Sequence, residues 1–290
     1  MKLFLAHSAQ HLRPSLEKNG VPVRRYDTFF FADRERGYRL QEEVRGERVA
    51  VIACVLPDPE SLFELRALHR LAHENGAVRI DLIIPYLGYA RQDRRNQAGE
   101  GSLGLMVVES FRTLKRSSLT FFDVHSPRIR KALGASSKEL SALPLFARTL
   151  SARVPEVIVS PDAGSVVRAR ELAKLLKPKP GVAIVEKFRP RPNMAVARHL
   201  QGDVRGKYAL IIDDIIDTGG TVSEAVKLVS RRGARHIRLA ATHGIFSGDA
   251  RDRLSKLPVD EILVTNTLPQ IPYPKIRTID IVPLLLSRKA

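Results

Sequence analysis

Leu210-Ile211-Ile212-Asp213-Asp214-Ile215-Ile216-Asp217-Thr218-Gly219-Gly220-Thr221 changes character twice: an apolar run gives way to acids, and the acids to a Thr-Gly-Gly-Thr turn. An apolar run with no polar face predicts a strand buried on both sides, here Tyr208 to Asp213. The residues from about Thr221 to Arg232 then take helical spacing and stop at Gly233. A strand that turns through two glycines into a helix offers backbone N–H groups, and the helix N-terminus itself, to an anion such as phosphate. The hydroxyls of Thr218 and Thr221 add donors. Asp213, Asp214 and Asp217 stand at the end of the strand, where carboxylates repel a phosphate but accept hydrogen bonds from sugar hydroxyls or orient a hydrated metal ion. The string therefore suits a phosphorylated sugar better than a nucleoside triphosphate, whose usual glycine-rich loop ends in Gly-Lys-Ser/Thr, a sequence absent here.

Outward from this loop, short Val/Ile-rich runs alternate with helical stretches along the chain. The strands are Val49 to Leu56, Arg79 to Pro85, Leu119 to Val124, Glu156 to Ser160, Val182 to Glu186 and Ile237 to Thr242, with helices at Ser61 to Glu74, about Leu103 to Leu114 and about Ser165 to Leu176. This grammar predicts an α/β protein with mainly parallel strands, built as two similar halves that meet near residues 142–144. The expected domains are 1–143 and 144–290, a length at which each half can bury its own core.

Composition narrows the class further. No run approaches the roughly 18 consecutive apolar residues of a membrane span, and the start Met1-Lys2-Leu3-Phe4-Leu5-Ala6-His7 turns polar too soon for a signal peptide. A cytoplasmic protein is expected. Cys54, the one cysteine, lies in the run Val49 to Val55 and reads as a small core residue rather than a nucleophile. The net charge of +17 comes from 48 Lys and Arg against 31 Asp and Glu. The basic residues are scattered, and no zinc-finger spacing, basic zipper or aromatic-basic RNA signature accompanies them, so a dispersed basic surface is preferred to a nucleic-acid-binding protein.

The acid and glycine loop resembles the phosphoribosyl diphosphate loop of the type I phosphoribosyltransferase fold, and both halves are expected to have that fold. On its own the loop fits either a transferase that consumes phosphoribosyl diphosphate or the synthetase that makes it. Further segments resemble the ribose-phosphate pyrophosphokinase family. Pro85-Tyr86-Leu87-Gly88-Tyr89-Ala90-Arg91-Gln92-Asp93-Arg94-Arg95 is similar to its ATP-side motif, and Phe122-Asp123-Val124-His125-Ser126 to its Asp-Leu-His segment. Ser160-Pro161-Asp162-Ala163-Gly164 resembles its Ser-Pro-Asp turn, Glu186-Lys187-Phe188-Arg189-Pro190-Arg191 its catalytic loop, and Phe31-Ala32-Asp33-Arg34-Glu35 its Phe-x-Asp-Gly-Glu.

The resemblance implies transfer of the diphosphate of Mg²⁺-ATP to the 1-hydroxyl of ribose 5-phosphate. It implies Lys187 and Arg189 as the catalytic pair, with Phe31, Asp33, Glu35, Arg91, Gln92, Asp93 and His125 on the ATP side. Asp213, Asp214, Asp217, Thr218, Gly219, Gly220 and Thr221 would hold ribose 5-phosphate, and His125 and Asp162 would serve the Mg²⁺ cofactor. It also implies a homo-oligomer in which the Phe31 segment serves a neighbouring subunit's ATP site. The alternatives are a catalytically silent, synthetase-like regulatory subunit and a nucleic-acid-binding protein. Three departures stand out. Arg34 replaces the usual Gly, so the turn is expected either to avoid positive φ or to differ in geometry. Phe188 replaces an Arg between the loop cations, and Asn96 to Gly104 lacks features that border the relatives' regulatory site.

Overall fold

The structure is a computed structural model that describes residues 1–135, 137–191 and 194–287, the side chains of 187–191 and 194–198 excepted. Two compact units make up the chain, Met1–Leu140 with Thr267–Pro269, and Ser141–Asn266 with Gln270–Ala290. A cut between 143 and 144 would pass through the helix Leu143–Leu150, so the first unit closes earlier, at the last residue of its final strand.

In the first unit the elements run β1 (Lys2–Leu5), α1 (Arg13–Lys18), β2 (Val23–Arg24), β3 (Tyr26–Phe30), β4 (Arg36–Leu40), β5 (Arg48–Ile52) and α2 (Pro59–Glu74). They continue with β6 (Arg79–Ile84), α3 (Leu103–Phe111), β7 (Ser117–Phe122), α4 (Pro127–Leu133) and β8 (Ser137–Leu140). The sheet order is β2-β1-β5-β6-β7-β8, and every pair is parallel. Val49 and Val51 of β5 enter a core with Leu65 and Leu68 of α2, while Ala50 and Ile52 are buried on the opposite face. A strand covered on both faces reads as an unbroken apolar run, as the sequence does here. Helix α2 starts where Asp58 accepts the N–H of Ser61 at 2.8 Å, with Pro59 in the first position, and ends at Asn75-Gly76. Cys54 is fully buried just beyond β5, and burial pushes its thiol up to about 12.

The antiparallel hairpin of β3 and β4 stands apart from this sheet and was not legible as a hairpin. Its base is fixed by Glu64 of α2, a buried carboxylate that accepts the hydroxyl of Tyr26 at 2.7 Å and the backbone N–H of His7 at 3.0 Å.

The second unit runs α5 (Leu143–Leu150), β9 (Val157–Ser160), α6 (Val166–Leu175), β10 (Gly181–Arg191), β11 (Met194–Gln201), β12 (Tyr208–Ile216) and α7 (Gly220–Arg231). After these come β13 (His236–Gly244), α8 (Ala250–Ser255), β14 (Glu261–Thr265), β15 (Ile276–Ile279) and α9 (Val282–Leu286). The order is β11-β10-β9-β12-β13-β14-β15, parallel except for the antiparallel β10–β11 pair. Alternate residues part to the two faces: Val157, Ile211 and Leu239 pack with Val222 and Val226 of α7, whereas Ile158, Leu210 and Ala240 pack with Phe146 of α5 and Leu172 of α6. Both units are thus α/β, each with a mainly parallel sheet flanked by helices, the expected fold class.

Two expectations change here. The strand expected to end at Glu186 continues through Arg191, with register shifts on either side of Lys187-Phe188, and Pro190 near its end supplies no N–H to the ladder. The backbone of Lys187 and Arg189 therefore lies in a strand rather than a loop, and their side chains lie outside the described residues. Likewise β12 runs to Ile216, so Asp213 sits inside the ladder opposite Ala241 instead of at its end.

Candidate functional site

From β9 the chain of the second unit moves outward to β10 and β11, then returns to start β12 on the other side of β9. Neighbouring strands that send their following segments in opposite directions open a crevice at their carboxyl ends, the place where open α/β sheets bind ligands. The crevice here is flanked by the turn Pro161 to Ser165 after β9 and by Asp217 to Gly220 after β12.

One hydrogen bond joins the two flanks. Ser165 donates its hydroxyl to Asp213 Oδ1 at 2.6 Å, and the backbone N–H of Asp214 donates to the same oxygen at 3.0 Å. Asp162 Oδ1 accepts the N–H groups of Gly164 at 3.0 Å and Ser165 at 3.3 Å, which fixes the turn that presents Ser165. Asp213 and Asp214 are each only 8% exposed. Burial pushes Asp213 from its ordinary 3.8 up to about 7, the charges of Asp214 and Asp162 add to the rise, and the Ser165 hydrogen bond opposes it. A buried group of like charges is a place where a cation or a hydroxyl donor is favoured.

The turn itself has the geometry of an anion cradle. Gly219 has φ of 75°, the left-handed region, and is the residue before α7. A Cβ there would also stand 3.3 Å from the Leu254 side chain of α8. The first N–H groups of an α-helix have no acceptor within the helix, and α7 directs them at the crevice end of β12 beside the exposed Thr218. Arg253 of α8 donates from Nη1 to the Thr218 carbonyl at 3.0 Å. Ser165, which follows the Ser-Pro-Asp-Ala-Gly string directly, and Arg253 are given no role by the sequence reading.

In the first unit, the segment after β6 is folded against the segment after β5: Val55 donates its N–H to Tyr86 at 2.9 Å, and Gly88 donates to Val55 at 2.7 Å. A Cβ on Gly88 would meet the Val55 carbonyl oxygen at 2.6 Å, so this approach needs glycine. Tyr89 then takes φ of 61°, and Arg91 and Gln92 emerge exposed while Asp93 is half-buried. Asp93 Oδ2 accepts the hydroxyl of Ser126 at 2.6 Å, and the same hydroxyl oxygen caps α4 by accepting the N–H of Arg128 at 3.1 Å. The Gln92-Asp93 and His125-Ser126 segments are thereby pinned together, with His125 exposed.

Phe31, Asp33 and Glu35 occupy the turn of the β3–β4 hairpin. Phe31 donates its N–H to Glu35 at 2.9 Å, and Glu35 donates its N–H to Asp33 Oδ1 at 3.0 Å. Arg34 adopts φ of 72° all the same, so the turn keeps the glycine conformation despite the side chain. The Phe31 ring is 56% exposed and meets Phe29 edge-on at 5.4 Å.

Among the described residues no three His, Cys, Asp or Glu side chains gather closely enough to hold a metal ion by themselves. Among the described residues no helix is long and apolar enough to cross a membrane.

Residues 1–113 match the family described as the N-terminal domain of ribose phosphate pyrophosphokinase, and residues 178–288 match the phosphoribosyl synthetase-associated domain. The ribose-phosphate pyrophosphokinase of Fusobacterium nucleatum subsp. nucleatum is 35% identical over 98% of this chain and 90% of its own length. That of Bacillus caldolyticus is 34% identical over 92% of this chain and 86% of its own length. The crystal structure of phosphoribosylpyrophosphate synthetase from Mycobacterium smegmatis superposes with a TM-score of 0.87 at 30% identity, covering 99% of this chain and 96% of that one. Likeness of this extent, through both units and across the segments that carry the acids, the glycine turn and the Arg91 motif, places the chain in the ribose-phosphate pyrophosphokinase family.

Proposed function

We propose that this chain transfers the diphosphate of Mg²⁺-ATP to the 1-hydroxyl of ribose 5-phosphate, giving 5-phosphoribosyl 1-diphosphate and AMP. The reading is carried by the crevice of the second unit, where an αL glycine turn opens α7 beside three acids and the Asp162 turn, taken together with the Arg91-Gln92-Asp93 segment pinned to His125-Ser126 in the first unit. In this reading Thr218, Gly219, Gly220 and Thr221 hold the 5-phosphate, and Asp213, Asp214 and Asp217 accept the ribose hydroxyls. The second unit then forms the sugar side and the first unit the nucleotide side. Arg91 stacks on adenine or approaches phosphate, Gln92 and Asp93 direct polar contacts, and His125 faces the nucleotide. Mg²⁺ would be served by His125 and by Asp162, each within its own unit, and supplies neutralisation of the diphosphate charge when bound.

The 1-hydroxyl oxygen attacks the β-phosphorus, its proton leaves to solvent, and the bond from that phosphorus to the α-phosphate bridging oxygen breaks to free AMP. Positioning and charge stabilisation carry most of such a reaction. Lys187 and Arg189 are assigned to the charge that builds on the diphosphate and its leaving group in the transition state. Phe31, Asp33 and Glu35 are assigned to the ATP site of a neighbouring subunit in a homo-oligomer, a reading supported by the exposure of Phe30 and Phe31 at the hairpin tip. A cytoplasmic setting goes with substrates of this kind.

The test is AMP release from Mg²⁺-ATP and ribose 5-phosphate by the purified protein. AMP formed in equal amount with phosphoribosyl diphosphate supports the reading, while no AMP across a range of pH and phosphate would favour a silent scaffold. Lys187→Ala is expected to lower turnover by at least about a hundredfold while leaving ribose 5-phosphate affinity within twofold of wild type, because the cation acts in the transition state. A loss of sugar affinity at unchanged turnover would remove Lys187 from this role.

A further inference from the structure

We infer that Arg253 is a positioning residue for the 5-phosphate of the sugar substrate, acting through the Thr218–Gly219 peptide group. The inference rests on the reading of the Thr-Gly-Gly-Thr turn as the phosphate cradle, and it concerns a residue outside every motif that identifies the turn.

The Arg253 guanidinium donates to the Thr218 carbonyl oxygen at 3.0 Å. That oxygen and the N–H of Gly219 belong to one planar peptide unit, and in the trans form they point in opposite directions. A cation on the oxygen therefore does two things to the N–H across the plane. It fixes the rotation of the peptide, which the αL glycine at φ of 75° would otherwise leave permissive. It also polarises the amide, and a hydrogen bond at one end of an amide strengthens the donor at the other. The positive charge stands behind the turn, so it adds to the field on an anion in the cradle without occupying the cradle.

The short helix that carries Arg253 is built to hold this arrangement. Leu254, the next residue, is fully buried and sets its side chain against Gly219. On the outer side, Tyr273 donates its hydroxyl to Asp252, and Lys275 Nζ donates to the carbonyl oxygens of Ser255 at 2.9 Å and Leu257 at 3.2 Å. Helix α8 is thus tied at its middle and at its C-terminal end. Arg253 itself is exposed, so its removal leaves the core intact. Lys256, exposed at the C-cap of the same helix, lines an open depression of about 550 Å³ with Asp249, Asp252 and Arg253 and supplies an internal control. It has the same charge nearby, without the bond to Thr218.

The experiment measures ribose 5-phosphate binding by calorimetry, together with steady-state kinetics in both substrates, for wild type, Arg253→Gln, Arg253→Lys and Lys256→Gln. For Arg253→Gln the expected result is a rise of about tenfold in Kd and KM for ribose 5-phosphate, the scale of one charge-assisted hydrogen bond. KM for ATP and kcat should stay within twofold and the melting temperature should be unchanged. Arg253→Lys should recover most of the loss, and Lys256→Gln should match wild type. Unaltered sugar binding in Arg253→Gln would overturn the inference, as would equal rises in KM for both substrates or an equal loss in Lys256→Gln. Failure of the wild-type protein itself to bind ribose 5-phosphate would overturn the cradle reading and this inference with it.

Discussion

Asp213 is held where its ionised form is disfavoured, and the sign of the consequence is fixed by that. Its folded-state value of about 7 lies above the ordinary 3.8, so the folded protein binds this proton more tightly than the unfolded chain does. The contribution to stability is complete below about pH 4 and is lost as pH rises through about 7. Ligand-free protein should therefore melt at a lower temperature at pH 8 than at pH 5 through this group, and Asp213→Asn should flatten that slope. An unchanged slope in the variant would show that the group does not titrate in this range. Arg34 makes a second residue-level case. A non-glycine side chain in the left-handed region costs about 1 kcal/mol, so Arg34→Gly should slow amide exchange in the β3–β4 hairpin and leave the first unit's core amides unaffected. Faster exchange in the hairpin would mean that the Arg34 side chain contributes more than its backbone strain removes.

Among elements, the Asp93–Ser126 tie is the contact on which the nucleotide-side segments depend. Ser126 is both the cap of α4 and the partner of Asp93. Loss of a helix N-cap costs about 1 kcal/mol, and Ser126→Ala also removes the hydroxyl donor from the half-buried Asp93 carboxylate. The expected outcome is a lower melting temperature together with a several-fold rise in KM for ATP at unchanged KM for ribose 5-phosphate. A pure loss of stability would make Ser126 a cap alone.

These elements also show what the sequence could and could not disclose. The acid and glycine loop was legible because its parts are adjacent in the chain and each has a local conformational reason. Ser165–Asp213 and Arg253–Thr218 join residues 48 and 35 positions apart, and a single Ser or Arg has no pattern that announces such a partner. The β3–β4 hairpin escaped for a different reason. Its turn places Arg34 where a hairpin signal relies on glycine or asparagine. The extension of β12 past Asp213 escaped because two consecutive acids read as the end of a strand, whereas here the ladder to β13 continues beneath them.

For the whole molecule, the proposal that the hairpin serves a neighbouring ATP site can be tested by mixing. Phe31→Ala and Arg91→Ala should each be weak, and a mixture equilibrated between subunits should regain about a quarter of wild-type sites if each site combines the two residues from different subunits of a dimer-like pair. Absence of any recovery after exchange would place both residues in one subunit's site or outside it.

Strand β12 has a neighbour on each side along its ladder and is covered on both faces, while the Thr218 turn begins within two residues of its end. Its amides belong among the last in the second unit to exchange with deuterium, and those of the turn among the first. The chemistry proposed for this protein thus stands at the sharpest boundary between slow and fast exchange along that stretch of chain. Sugar phosphate binding should be visible as that boundary moving outward, past Gly219 into the first turn of α7.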